Sequence, residues 1–132
     1  KKRGHTTESI VIDSKIENLN KTKEVFTLFT NIMAKEMKRV EYRKVRAGKG
    51  TMRGRKYKYK KGPLIVISKM CPLVKSSKNL QGFDICIVSD LNAELLAPGC
   101  DAGRLTVWTE GAIERLGKED LFYQKAKKET KK

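Results

Sequence analysis

Apolar positions along this chain change period several times, and each change marks an element. Ser9-Ile10-Val11-Ile12 is a short β-branched run closed by Asp13, which predicts a buried strand. From Lys21 the spacing becomes helical: Val25, Phe26, Leu28, Phe29, Ile32, Met33 and Met37 recur on one side, with Lys21, Lys23, Glu24, Lys35 and Lys38 on the others. Asn20 or Thr22 would cap this helix, and its aromatic and methionine stripe is read as the core-facing side. After the turn signal Gly62-Pro63, Leu64-Ile65-Val66-Ile67 is unbroken aliphatic. Continuous apolarity implies burial on both faces, as in a parallel sheet with helices on each side.

Further along, Pro72 to Leu80 predicts a short helix with Pro72 in its first turn and Gly82 as its stop. Phe83 to Val88 is the next strand, with Asp84 its polar exception. Asp90 would cap one or two helical turns that reach Leu96 and end at Pro98-Gly99. Arg104 to Trp108 is a fourth strand. Thr109 then caps a final helix with Glu110 in its first turn, Ala112, Ile113 and Leu116 on its buried side, and Gly117 at its end. Strands alternating with helices give the α/β class, a small and mainly parallel sheet flanked by helices.

The 132 residues suffice for one domain, residues 1–117, whose core buries roughly two thirds of the unfolded surface. Lys1 to Glu8 is a polar lead-in, and residues 118–132 form a basic tail with Leu121-Phe122-Tyr123 as a local docking point. No internal repeat is present. The longest apolar runs fall far short of the roughly 20 residues of a spanning helix, and no signal peptide opens the chain. It starts at Lys1 and not at a methionine, so it reads as a fragment. Cys71, Cys86 and Cys100 are odd in number, have no CxxC spacing and lie far in sequence from the one histidine, His5. That pattern favours neither a zinc site nor a disulfide framework and suits a reducing compartment.

Charge changes this picture most. The stretch from Lys38 to Lys61 holds twelve Lys or Arg against one acid, Glu41, so it carries +11 of the chain's +15. It has no apolar period, Gly48, Gly50 and Gly54 punctuate it and Gly62 follows it, so it is expected to be a long irregular loop. Because it joins a helix to a buried strand, it reads as a loop that a scaffold presents to a polyanion. Arg43, Lys44, Arg46, Lys49, Arg53, Arg55, Lys56, Lys58, Lys60 and Lys61 are the expected RNA contacts, through phosphate forks and counterion release. Gly48, Gly50 and Gly54 would let the backbone approach phosphates closely. Tyr42, Tyr57 and Tyr59 offer rings for stacking unpaired bases; in an extended piece, Tyr57 and Tyr59 would lie on one side and Lys58 and Lys60 on the other.

Other chemistries fit less well. Gly48-Lys49-Gly50-Thr51 lacks the spacing and the preceding strand of a phosphate-binding loop. A Cys/His nucleophile would need His5 beside a cysteine in or near a core strand, and Glu119-Asp120 sits in a solvated tail where nothing tunes an acid. Two rivals come from other classes. A small doubly wound nucleotide-binding enzyme would need a polar cluster after Ile67, Val88 or Trp108, where Ser89, Asp90, Thr109 and Glu110 are scattered candidates. A basic peripheral-membrane module would need the long helix to leave its apolar face bare.

The run Val45-Arg46-Ala47-Gly48-Lys49-Gly50-Thr51-Met52-Arg53-Gly54-Arg55, followed by Gly62-Pro63-Leu64-Ile65-Val66, resembles the archaeal and eukaryotic form of the large ribosomal subunit protein four family. Lys21-Thr22-Lys23-Glu24, Asn79-Leu80-Gln81-Gly82, Leu91 to Gly99, and Gly103-Arg104 through Trp108-Thr109-Glu110 with Ala112 follow in that family's order and spacing. The resemblance implies an α/β domain that binds large-subunit ribosomal RNA during and after assembly, beside neighbouring ribosomal proteins. It implies no catalysis, cofactor, metal, membrane or small-molecule substrate, and a place in cytoplasmic ribosomes, with a nucleolar assembly stage if eukaryotic. The family's N-terminal half, with its exit-tunnel loop, has no counterpart here, and the usual C-terminal extension is a short Lys-rich tail. Cys100 stands where a second glycine often follows the Ala-Pro-Gly turn. Without the N-terminal strands, a sheet edge or helix face is expected to be uncovered.

Overall fold

A computed structural model describes residues 9–100 and 103–122. The lead-in before Ser9 and Tyr123 with the rest of the tail lie outside the described residues. In chain order the elements are β1 (Ser9–Ile12), a 3-10 turn (Ser14–Asn18), α1 (Thr22–Glu41), β2 (Lys44–Val45), α2 (Lys49–Met52) and β3 (Tyr57–Lys58). There follow β4 (Leu64–Ile67), α3 (Pro72–Lys78), β5 (Asp84–Ile87), α4 (Ala93–Leu96), β6 (Thr106–Thr109) and α5 (Glu110–Lys118).

Four strands form a sheet in the order β1-β6-β4-β5, and every pairing in it is parallel. Ile65 of β4 lies opposite Val107 on one side and Ile85 on the other. All four β4 residues are buried, as its unbroken aliphatic run requires. β1, expected to be buried, is an edge strand: Val11 is 55% exposed while Ile10 and Ile12 point half-buried into the core. Alternating burial of β-branched residues makes an edge strand as readily as a central one.

The chain crosses the sheet twice in one direction, β1 to β4 and β4 to β5, and then returns from β5 to β6. Right-handed crossovers then place the outward helices on one face and the returning helix on the other. The side chains agree. Val25, Phe29 and Met33 of α1 and Leu73 of α3 pack with Ile65, Ile67 and Val107 on one face, where Phe29 meets Phe83 at 5.4 Å between ring centroids. Leu64 and Val66 point to the other face, against Ala112 of α5, with Leu95 and Leu96 of α4 beside them. Each fully buried large apolar side chain contributes about 1.5–3 kcal/mol relative to leaving it in water.

Element ends differ from the sequence reading where backbone geometry decides. Lys21, not Asn20 or Thr22, is the N-cap of α1, without a side-chain bond. Of the helical stripe, Val25, Phe29 and Met33 are buried, whereas Phe26 and Ile32 remain exposed, because one sheet covers a narrower arc than the stripe spans. Asn92 replaces Asp90 as the α4 cap, its side chain accepting from Leu95 N at 2.8 Å, while Asp90 ends a 3-10 turn. Thr109 caps α5 as expected, accepting from Ala112 N at 3.3 Å, and the helix continues past Gly117 to Lys118. Leu121 packs against the second core cluster, and Phe122 is exposed. No described helix is long and apolar enough to cross a membrane.

One buried guanidinium ties these layers together. The Arg104 side chain is 3% exposed. Its Nε donates to Gly62 O at 2.7 Å, Nη1 to Leu95 O at 2.9 Å, and Nη2 to both Pro63 O at 3.3 Å and Asp84 Oδ2 at 2.6 Å. Lys61 Nζ meets the same carboxylate oxygen at 3.0 Å. Burial pushes the Asp84 carboxyl up, but the hydrogen bonds and charges of Lys61 and Arg104 outweigh it and hold it below the ordinary carboxylate range.

Two stability measurements test this packing. Ser77 is fully buried and its hydroxyl has no partner among the described residues, whereas Ser76 donates to Leu19 O and Leu73 O. Ser77→Ala is expected to raise unfolding stability in urea by about 1 kcal/mol, since an unmade buried hydrogen bond costs that order; a loss of stability would contradict the packing. Asp84→Ala strands a buried cation and is expected to cost roughly 3 kcal/mol at neutral pH. A lowered folded pKa stabilises above the unfolded value of about 3.9 and is lost as pH falls through the folded value. The gap between wild type and Asp84→Ala should therefore narrow below about pH 4; a gap constant with pH would show that the ion pair is not its source.

Candidate nucleic-acid interface

Between Tyr42 and Lys61 the chain is more regular than its lack of apolar period predicts. The last turn of α1 takes up Lys38 to Glu41. β2 then pairs antiparallel with β3, Lys44 opposite Lys58 and Val45 opposite Tyr57, and α2 forms a single helical turn at the tip. Local bonds replace a core. Arg46 N donates to Lys56 O at 2.8 Å and Arg55 N to Gly50 O at 3.0 Å, and the Thr51 hydroxyl donates to Arg46 O. Gly48 and Gly54 have φ of 80° and 72°, the left-handed values that let the chain enter and leave this turn. Open space surrounds both, so their demand is conformational; Gly50 has no such demand and rests near the Arg46 side chain.

The tyrosines divide into two kinds. The Arg43 guanidinium lies 4.4 Å from the Tyr57 ring centroid and Lys56 Nζ 5.7 Å from it, while Lys60 Nζ sits 5.4 Å from that of Tyr42. These contacts cover apolar rings with cations at about 0.5–1 kcal/mol each near the surface. Tyr59 is half exposed and has no such cation among the described residues.

The base of the ribbon is fixed by close packing. Val40, 3% exposed, is pressed against Gly62 and Gly82, whose backbones bond through Gly62 N to Gly82 O at 2.8 Å. A Cβ on Gly62 would sit 2.7 Å from Val40 Cγ2, and one on Gly82 would overlap Val40 Cγ1. Gly82 also has a φ of 75°, so glycine is required there on both counts. Arg39 Nη2 donates to Lys61 O at 3.2 Å, and the Arg104 guanidinium holds Gly62 O and Pro63 O from below.

Arg43, Lys44, Arg46, Lys49, Arg53, Arg55, Lys56, Lys58, Lys60 and Lys61 are all exposed on this ribbon. Of the ten, Lys61 alone meets a carboxylate among the described residues. Like charges directly opposite, as at Lys44 and Lys58, repel across a strand pair. A screening length of about 8 Å in physiological salt does not relieve charges packed this closely. The arrangement can lower its free energy by meeting a row of anions.

At the carboxyl ends of the strands, where a doubly wound enzyme would hold a ligand, the polar residues do converge, on a partner that sequence reasoning missed. Glu17 accepts from Ser68 N at 3.1 Å, Ser68 Oγ at 2.9 Å and Thr109 Oγ1 at 2.7 Å, and Arg115 donates to Ser68 O. The cluster is spent on internal bonds that pin the 3-10 turn to β4 and β6. Ser89, Asp90 and Glu110 are exposed and make no hydrogen bond to Glu17 among the described residues. The Cys86 thiol is pushed up to about 11, chiefly by burial, which suppresses the nucleophilic thiolate. His5 lies outside the described residues.

Comparison with known proteins shows the family. The chain is 49% identical over 109 residues to the large ribosomal subunit protein uL4 of Archaeoglobus fulgidus, a match covering 81% of this chain and 43% of the relative. It is 50% identical over 119 residues to the protein of the same name from Methanoregula boonei, covering 86% and 47%. For that of Methanocaldococcus jannaschii the figures are 45% over 122 residues, covering 88% and 48%. The chain thus spans about half the length of these relatives, whose names describe ribosomal constituents and no enzyme. The sequence model of the ribosomal protein L4/L1 family matches residues 3–119, and the chain belongs to that family.

Proposed function

We propose that this chain is a structural constituent of the large ribosomal subunit that binds ribosomal RNA through the ribbon and supports subunit assembly beside neighbouring ribosomal proteins. Its location in this reading is the cytoplasmic ribosome. The observation that carries it is the set of ten exposed cations, nine without a carboxylate partner among the described residues, on a ribbon clamped at its base. Membership of a ribosomal protein family supports reading the polyanion as ribosomal RNA.

The mechanism is electrostatic and positional. Arg43, Arg46, Arg53 and Arg55 offer planar forks to phosphate oxygens, and the lysines supply mobile charges; together they displace counterions from the RNA. The helical turn between Gly48 and Gly54 sets its basic side chains at fixed spacing. Clamping the base lowers the ordering cost at the moment of binding.

Two measurements test this reading. With some 6–10 phosphates neutralised, affinity for purified large-subunit RNA should fall roughly a thousandfold to a hundred-thousandfold between about 50 and 200 mM salt. A salt-insensitive complex would contradict it. Replacing Arg53, Arg55 and Lys56 together by Ala should weaken RNA binding with the circular dichroism spectrum unchanged; collapse of the fold would make the segment a structural element instead.

A further inference from the structure

Beside the returning arm of the ribbon lies an open cleft of about 500 Å³, lined by Tyr59, Lys60 and Lys61 on one side and by Lys78, Gln81 and Gly82 on the other. That volume falls within the roughly 300–1,000 Å³ of clefts that hold small ligands. We propose that this cleft takes a single unpaired nucleotide of the RNA chain, its base stacked on Tyr59 and its phosphate at Lys78. The proposal rests on the RNA-binding reading above and adds to it a specific site that includes two residues outside the basic ribbon, Lys78 and Gln81.

Elimination among the lining groups assigns the roles. Tyr57 and Tyr42 carry cations over their rings, whereas the half-exposed Tyr59 faces the cleft without one among the described residues. Lys60 lies over Tyr42 and is already assigned to the ribbon's own phosphate contacts, and Lys61 is paired with Asp84. Lys78, exposed and without a carboxylate partner among the described residues, is the cation left for a phosphate. The one carboxylate lining the cleft, Asp84, already accepts from Lys61 and Arg104, so its charge is offset where an anion enters. Gln81 is exposed at the rim and offers an amide donor and acceptor to a base edge. A base within a duplex has no free face for an aromatic ring, so the ligand is an extruded or single-stranded nucleotide. Its neighbours in the RNA chain remain within reach of the ribbon, because Tyr59 follows β3 directly.

The test compares two RNAs with the full chain: a short perfectly paired duplex, and the same duplex with one extruded fluorescent purine. Wild type should prefer the bulged RNA by about tenfold, the order expected for stacking one base on an aromatic ring. Emission of the purine should change on binding. The readout is the ratio of the two affinities, from which general electrostatic weakening cancels. Tyr59→Leu and Lys78→Ala should each bring that ratio close to one, and Tyr59→Phe should keep it. Equal wild-type affinities, or a preference that survives both substitutions, would overturn the cleft and leave the ribbon reading standing. Displacement of the bulge by micromolar adenosine monophosphate would overturn it in favour of a site for free nucleotides. Failure of wild type to bind either RNA while it still binds purified large-subunit ribosomal RNA would overturn the cleft alone; failure to bind all three would overturn the proposed function as well.

Discussion

The structure depends most on one buried guanidinium. Arg104 enters the sheet just before β6 and bonds to the ribbon's return at Gly62 and Pro63, to the start of β5 at Asp84, and to α4 at Leu95. These groups come from three separate stretches of the chain and join the starts of β4 and β5 to α4. Taking an arginine out of water costs several kcal/mol unless its donors are met, and here three carbonyls and a carboxylate meet them. The fixed fork of the guanidinium also dictates where those acceptors sit. Specificity of assembly, more than raw stability, is what such a buried polar network supplies.

The ribbon is the opposite case. It has almost no buried apolar area, and its charges repel one another. What holds it is local: a two-residue strand pairing, one helical turn bounded by glycines at positive φ, and rings covered by cations. The scaffold fixes only its ends, through Val40 against Gly62 and Gly82 and through Arg104 below. An element built in this way keeps its position while leaving its cations free for an external anion. At the strand ends the polar groups are used internally instead, with Ser68 and Thr109 both donating to Glu17.

Much of this was legible in the sequence because burial writes a period into it. The aliphatic run at Leu64 to Ile67 announced a central parallel strand, Val25, Phe29 and Met33 announced a core helix, and Thr109 announced its cap. The residues that were missed leave no such period. Arg104 reads like any strand-flanking cation until its neighbours are known, and Glu17 is one polar residue among many. β1 and the exposed Phe26 and Ile32 were misjudged because apolar composition alone does not say how wide a face the fold covers. The ribbon's pairing was hidden because its backbone bonds and glycine conformations carry no hydrophobic signal. The ten basic residues proposed to meet RNA, by contrast, stood out by charge density and are exposed.

The central claim is that the ribbon, and not the charged outer faces of the helices, meets the RNA. Mass-spectrometric mapping of lysine acetylation, on the chain alone and bound to large-subunit ribosomal RNA, tests it most directly. Lys44, Lys49, Lys56 and Lys58 should be protected in the complex, while Lys23 and Lys35 on α1 and Lys75 on α3 react as they do in the free chain. Ribbon lysines that label equally fast with and without RNA, or protection confined to α1 and α3, would contradict the account.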